Sequence, residues 1–136
     1  MVEVTEEKRL ELAQRATANM KNAYCPYSKF HVGAALLSED NVIYDGVNME
    51  NAAYPVGTCA ERVALGTAIT QGTRKFKCIA VATRVPDGGS PCGMCRQMLF
   101  EFGDFEVLLC SPDGKVQVRT TTHKLLPLGF GPDHLK

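Results

Sequence analysis

An α/β fold, with a mixed sheet held between helices, is what this sequence predicts, and three observations carry it. Apolar residues recur at helical spacing from about Thr5 to Met20, with charges between them. In the second half, two stretches that begin like helices are each followed by a short apolar run. Helix, strand, helix, strand in that order implies a parallel crossover, which is right-handed in nearly all sheets. Finally, 136 residues is one domain by length and enough to bury a real core, so residues 1–136 are expected to form a single domain.

In order along the chain, the first helix presents Leu10, Ala13, Ala16 and Met20 on one face. A loop around CPYS follows. Phe30 to Leu37 (FHVGAALL) and Val42 to Val47 (VIYDGV) read as two strands of a hairpin joined by the polar turn SEDN. After NMENAAYPVG comes a helix from Cys59 to about Gln71, then the run CIAVAT from Cys78, suited to a buried strand. A further helix runs from Pro91 to about Phe102, and FEVLLC from Phe105 forms the next strand. This order brings both helix starts to one edge of the sheet, where α/β folds usually place their sites.

Fifteen basic and fifteen acidic residues give a formal net charge of zero. No broad field is available to hold a polyanion, which argues against nucleic acid as a partner. The N-terminus, MVEVTEEKRLELAQ, is charged instead of carrying an apolar signal core, and no apolar run approaches a membrane span. A soluble, cytoplasmic protein is expected. Six cysteines without a secretion signal are then better read as reduced or metal-bound than as a disulfide scaffold.

Those cysteines are the sharpest feature. Residues 58 to 65 read TCAERVAL and residues 90 to 97 read SPCGMCRQ. Thr58 with Glu61 is a capping box, and Ser90 with Pro91 is an N-cap followed by a proline at the first helical position. Capping does not account for Cys59, Cys92 and Cys95, which all fall in first turns, where the helix dipole favours thiolate. A Cys-x-x-Cys pair alone fits zinc ligands, a redox dithiol or chance. A third thiol at the matching position of the preceding helix favours metal. A structural zinc site closes with a fourth protein ligand, yet His31, His123, His134, Cys25, Cys78 and Cys110 are all poorly placed to supply it. Three ligands without a fourth is the pattern of a catalytic zinc holding water. Glu61, two residues beyond Cys59, is then either a helix cap or a general acid/base beside that water. Arg62 is either a surface ion-pair partner or a counter-charge to the thiolates.

Cys59-Ala60-Glu61 together with Pro91-Cys92-Gly93-Met94-Cys95 resembles the zinc-dependent nucleoside and nucleobase deaminases. The likeness continues through AYCPYSKFHVGAALL, GVNMENAAYP and LLPLGFGPDHL, covering nearly the whole chain in order. It points to the cytidine and deoxycytidine deaminase family in its small homotetrameric branch. The resemblance implies a three-layer α-β-α domain with a mixed sheet of about five strands and one Zn2+ per chain. It implies Cys59, Cys92 and Cys95 as ligands, Glu61 as proton shuttle, and Arg62 hydrogen-bonded to a zinc-bound sulfur. Asn48 and Glu50 would bind the ribose hydroxyls, Phe30 would pack on the pyrimidine, and Phe130 would reach a neighbouring subunit's site. The implied reaction is hydrolytic deamination of the nucleoside, a step of pyrimidine salvage. Met94 is bulkier than the residue often found between the paired cysteines.

Overall fold

Thr5 caps the first helix: its side-chain oxygen accepts from the Lys8 amide at 3.1 Å, and Glu6 and Glu7 occupy the positive end of the helix dipole. The computed structural model describes residues 2–136. Helix α1 (Glu6–Asn19) buries Leu12, Ala13 and Ala16, and Met20 packs beside them. Leu10, which the spacing assigned to that stripe, is 53% exposed. Arg9 turns inward in its place, because its guanidinium meets Glu106 with Nε to Oε1 at 2.5 Å.

Five strands make one sheet: β1 (Gly33–Ser38), β2 (Ile43–Val47), β3 (Phe76–Ala82), β4 (Glu106–Cys110) and β5 (Val116–Thr121), in the order β2-β1-β3-β4-β5. β3 and β4 are parallel and joined through helix α3 (Gly93–Phe100), while the other pairings are antiparallel. The two-residue period of the strands splits the core into two halves. Ala34, Leu36, Ile79, Val81, Val107 and Leu109 face helix α2 (Ala60–Thr70) and α3. Ala35, Leu37, Cys78, Ala80, Leu108 and Cys110 face α1. The result is the expected three-layer α-β-α arrangement. No helix of the described residues is long and apolar enough to cross a membrane.

Two glycines let the helices sit directly on strands. A Cβ on Gly33 would lie 2.0 Å from the Ala16 carbonyl oxygen, and one on Gly46 would lie 2.3 Å from that of Ala60. The second approach seats the start of α2, and with it the neighbouring Cys59 and Glu61, against β2.

Three boundaries differ from the sequence reading. β1 begins at Gly33 because the Asn48 side chain replaces a strand partner: Oδ1 accepts from the Val32 amide at 2.9 Å and Nδ2 donates to the Phe30 carbonyl at 2.8 Å. β3 starts earlier, at Phe76, which packs edge-on against Phe102 with ring centroids 5.9 Å apart. The fifth strand, VQVRTT, had no place in the element-by-element reading. It is an edge strand with Gln117, Val118 and Arg119 exposed, so its apolar alternation is weak.

Candidate active site

Both cysteine motifs are placed by helix starts, which fall one residue later than the Thr58 cap and two residues later than the Ser90 cap that the sequence suggested. Cys59 is the N-cap of α2 and Cys92 the N-cap of α3, both in extended conformation and neither side chain accepting from the backbone amides of its helix. The sulfurs thus stand where a serine or aspartate would normally satisfy the first amides. Thr58 instead pairs with Met49 in a short antiparallel bridge, each amide donating to the other's carbonyl at 2.9 Å. Glu61 is therefore the second helical residue, not the third, and the Thr58–Glu61 capping box does not form. Ser90 does not cap α3 either: its Oγ accepts from Arg96 Nη2 at 2.6 Å. Arg96 also donates from Nε to the Pro91 carbonyl and from Nη1 to the Leu125 carbonyl, clamping the segment that leads into α3.

The metal-ligating atoms of Cys59, Cys92 and Cys95 all lie within 4.8 Å of one another, with Cys59 and Cys92 Sγ 3.8 Å apart. Among the described residues no further histidine, cysteine or carboxylate joins the group. His31 is engaged with the Met20 carbonyl, His123 stacks on Phe100 and His134 on Phe130, while Cys25, Cys78 and Cys110 are buried away from the group. Arg62 Nη2 donates to Cys59 Sγ at 3.5 Å, and its Nε is buried with no hydrogen-bond partner among the described residues. Hydrogen bonding to Cys95 and to Arg62 pulls the Cys59 thiol down to about 5 against the opposing effect of burial. Cys95, tied to Cys59 and buried, is pushed the other way. Three soft sulfur donors, two helix N-termini and an adjacent guanidinium make a donor set suited to zinc.

Glu61 lies beside this group and is only 4% exposed. Burial pushes its carboxyl up to about 7, and the Cys59 charge acts in the same direction. A cavity of about 330 Å³ is lined by Cys59, Glu61 and Cys92 together with Phe30, Asn48 and Glu50. Glu50 Oε1 accepts from the Tyr27 and Ser28 amides, each at 3.1 Å, and Oε2 accepts from Ser28 Oγ. These bonds, the Ser28 hydroxyl first, hold its carboxyl below the usual range. After these contacts Glu50 keeps one acceptor position free, and Asn48 keeps one donor and one acceptor.

Phe130 is not part of this cavity. Its ring is 55% exposed and stacks on His134 at 5.3 Å, while its carbonyl accepts from Gln97 Nε2 at 2.8 Å. Sequence reasoning singled out neither Ser28, which braces Glu50, nor Arg96 and Gln97, which tie α3 to the C-terminal segment. For the last two the signal was at hand, since both sit inside SPCGMCRQ, directly after Cys95.

A three-thiol group at paired helix starts, with a buried carboxyl beside it and a nucleoside-sized cavity in front, defines a zinc-dependent hydrolytic enzyme of the α/β class. The family model described as "Cytidine and deoxycytidylate deaminase zinc-binding region" matches residues 6–111. The chain is 45% identical over 130 residues to a probable cytidine deaminase of Dictyostelium discoideum, covering 95% of this chain and 86% of that protein. It is 48% identical over 117 residues to cytidine deaminase of Sporosarcina psychrophila, covering 85% of each. The crystal structure of cytidine deaminase from Burkholderia pseudomallei superposes with a TM-score of 0.86 at 40% identity, over 93% of this chain and all of that one. The chain belongs to the cytidine and deoxycytidylate deaminase family, whose metal is zinc.

Proposed function

We propose that residues 1–136 form one deaminase domain that hydrolyses cytidine and deoxycytidine to uridine and deoxyuridine plus ammonia. The observation that supports this reading is the cavity itself, which is lined by Cys59, Cys92, Glu61, Asn48 and Glu50 together, with Cys95 completing the sulfur group behind Cys59 and Cys92. Cys59, Cys92 and Cys95 would hold the zinc. Once bound, the metal supplies a Lewis acid that makes water acidic enough to attack at neutral pH.

Glu61 takes a proton from the attacking water and delivers it to the ring nitrogen beside C4. It then carries the remaining proton of that water, from the hydroxyl now on C4, to the exocyclic amine; the bond between C4 and this nitrogen breaks, the C4 carbonyl forms and ammonia leaves, so that one water is consumed for each nucleoside. A carboxyl enclosed by protein is suited to both halves of that exchange. Arg62, bonded to Cys59 Sγ, withdraws charge from a ligand set that is otherwise too negative to favour acidic water. The free positions on Asn48 and Glu50 take the sugar hydroxyls, and Phe30 forms the apolar wall against the flat base. The same reading places the protein in pyrimidine salvage, in the cytoplasm, and as a homotetramer in which Phe130 completes a neighbour's site. No nucleic-acid or membrane partner belongs to it.

The test is the fall in cytidine absorbance on incubation with purified protein, with cytosine and CMP as comparison substrates. Each hydrogen bond to a charged group contributes on the order of 1.5 to 3 kcal/mol, so cytosine, which lacks the sugar, should be at least about tenfold poorer. Equal efficiency on cytosine would remove the ribose assignment, and preference for a different aminopyrimidine nucleoside would redirect it.

A further inference from the structure

The aromatic wall of the cavity carries a cation on its ring. Phe30 precedes β1 and Arg84 follows β3, and these two strands are antiparallel neighbours with Gly33 opposite Ala82. The segment entering one strand therefore runs beside the segment leaving the other. Arg84 lies across the Phe30 ring with its guanidinium carbon 4.9 Å from the ring centroid. Phe30 itself lines the cavity, and so does Thr83, the residue before Arg84.

Arg84 is exposed and forms no ion pair among the described residues. Its support comes from a tight loop: Thr83 Oγ1 accepts from the Val85 amide at 3.1 Å, and the Gly88 amide returns to the Val85 carbonyl at 3.1 Å. Gly88 sits there at a φ of 90°, and a Cβ would meet Leu109 Cβ at 2.9 Å. The other end of the contact is fixed as well. The Phe30 carbonyl is held by Asn48 and its amide donates to Ser28 Oγ at 3.0 Å. Both backbones are anchored, so the guanidinium and the ring meet in a defined arrangement.

We infer that Arg84 is a positioning residue for nucleoside binding: its cation lies on the Phe30 ring and holds that ring as a preset wall for the base. This deepens the deaminase reading and rests on it for the identity of the ligand. A planar cation over a ring face is attracted by the ring quadrupole. A wall held in its bound orientation before the ligand arrives spares the ordering cost that a freely turning side chain would incur on binding. The contribution is the same for substrate and for the reacting species, so it acts on KM and leaves kcat alone.

The zinc-loaded protein and its Arg84→Ala, Arg84→Lys and Arg84→Met variants separate the possibilities. Arg84→Ala is expected to raise KM for cytidine about fivefold, with kcat, zinc content and thermal midpoint unchanged. Arg84→Lys should restore most of the affinity, whereas Arg84→Met, of similar length and neutral, should not. Wild-type KM in Arg84→Met overturns the inference, as does a loss confined to kcat. A rise in KM for CMP alone would make Arg84 an anion contact and equally overturn it. Nuclear magnetic resonance of the nucleoside-free protein supplies a readout without turnover. The Arg84 side-chain methylenes should be shifted upfield by the Phe30 ring current and lose that shift in Phe30→Leu. Unshifted methylenes reject the stacking, while absence of cytidine turnover by the wild type with the shift intact would reject the deaminase reading.

Discussion

Glu61 shows how one residue changes meaning when a helix starts a single position later. In the sequence it is the partner of Thr58 in a capping box, at the third helical position; in the fold Cys59 holds the cap position, and the Glu61 side chain is buried beside the sulfurs. A buried carboxyl without a capping role is costly to stability, and such groups cluster at sites of chemistry. Glu61→Gln should therefore keep the fold and the zinc and lose most of the turnover, because an amide cannot accept the water's proton. Retention of near wild-type rate would make the carboxyl structural. Cys59→Ala, Cys92→Ala and Cys95→Ala should instead lose zinc and activity together, as read by metal analysis. The Asn48 amide group supplies strand-like bonds to Phe30 and Val32, and on the proposed reading its remaining positions take the sugar. Asn48→Ala should thus lower stability by about 2 kcal/mol, from two lost hydrogen bonds, and also raise KM. A change in KM with unaltered denaturant midpoint would count against the bracing role.

At the scale of elements, α1 is latched to the sheet by an ion pair that periodicity hides. Arg9 reaches Glu106 on β4, whose side chain is only 13% exposed, and Arg119 on β5 adds a second contact to it at 3.2 Å. Burial alone would raise the Glu106 carboxyl, but the Arg9 hydrogen bond and charge, with Arg119 behind them, hold it below its ordinary range. A depressed carboxyl binds fewer protons in the folded than in the unfolded state. Its stabilisation is complete above the unfolded value and is lost as pH falls through the folded one. Glu106→Gln should destabilise by about 2 kcal/mol at neutral pH, since the Arg9 charge loses its enclosed partner and keeps only the exposed Glu6 carboxylate, and should flatten the acid limb of a thermal-midpoint profile. An unchanged acid limb would show that other carboxylates govern it. This latch also marks what the sequence could and could not tell. The elements that repeat an apolar period against a buried layer, α2, β3, α3 and β4, were legible to within a few residues. So were the three cysteines, because helix starts place them. Arg9 in the α1 core face, the side-chain amide that delays the start of β1 to Gly33, and the exposed edge strand β5 were not, since each depends on a partner distant in the chain or lacks a buried face.

For the whole molecule, the open question is why an aromatic ring is presented to solvent at the end of a carefully held segment. Arg96 fixes Leu125, Gln97 fixes the Phe130 carbonyl, and both side chains come from the helix that carries Cys95. The C-terminal segment is thus tied to the candidate metal helix, yet the Phe130 ring remains outside its own chain's cavity. A second copy of the chain as the cover for that ring gives a direct expectation. A Phe130→Ala chain would keep an intact zinc group and Glu61, and its defect would appear in the neighbouring site. A Glu61→Ala chain would have the reverse defect, a damaged site of its own and a sound ring to offer. Refolding the two together should form some sites with Glu61 from one chain and Phe130 from another. Their activity should exceed the sum of the two parent variants measured separately at the same total concentration. Co-assembled oligomers without that gain, with Phe130→Ala alone impaired, would place the action of Phe130 within its own chain.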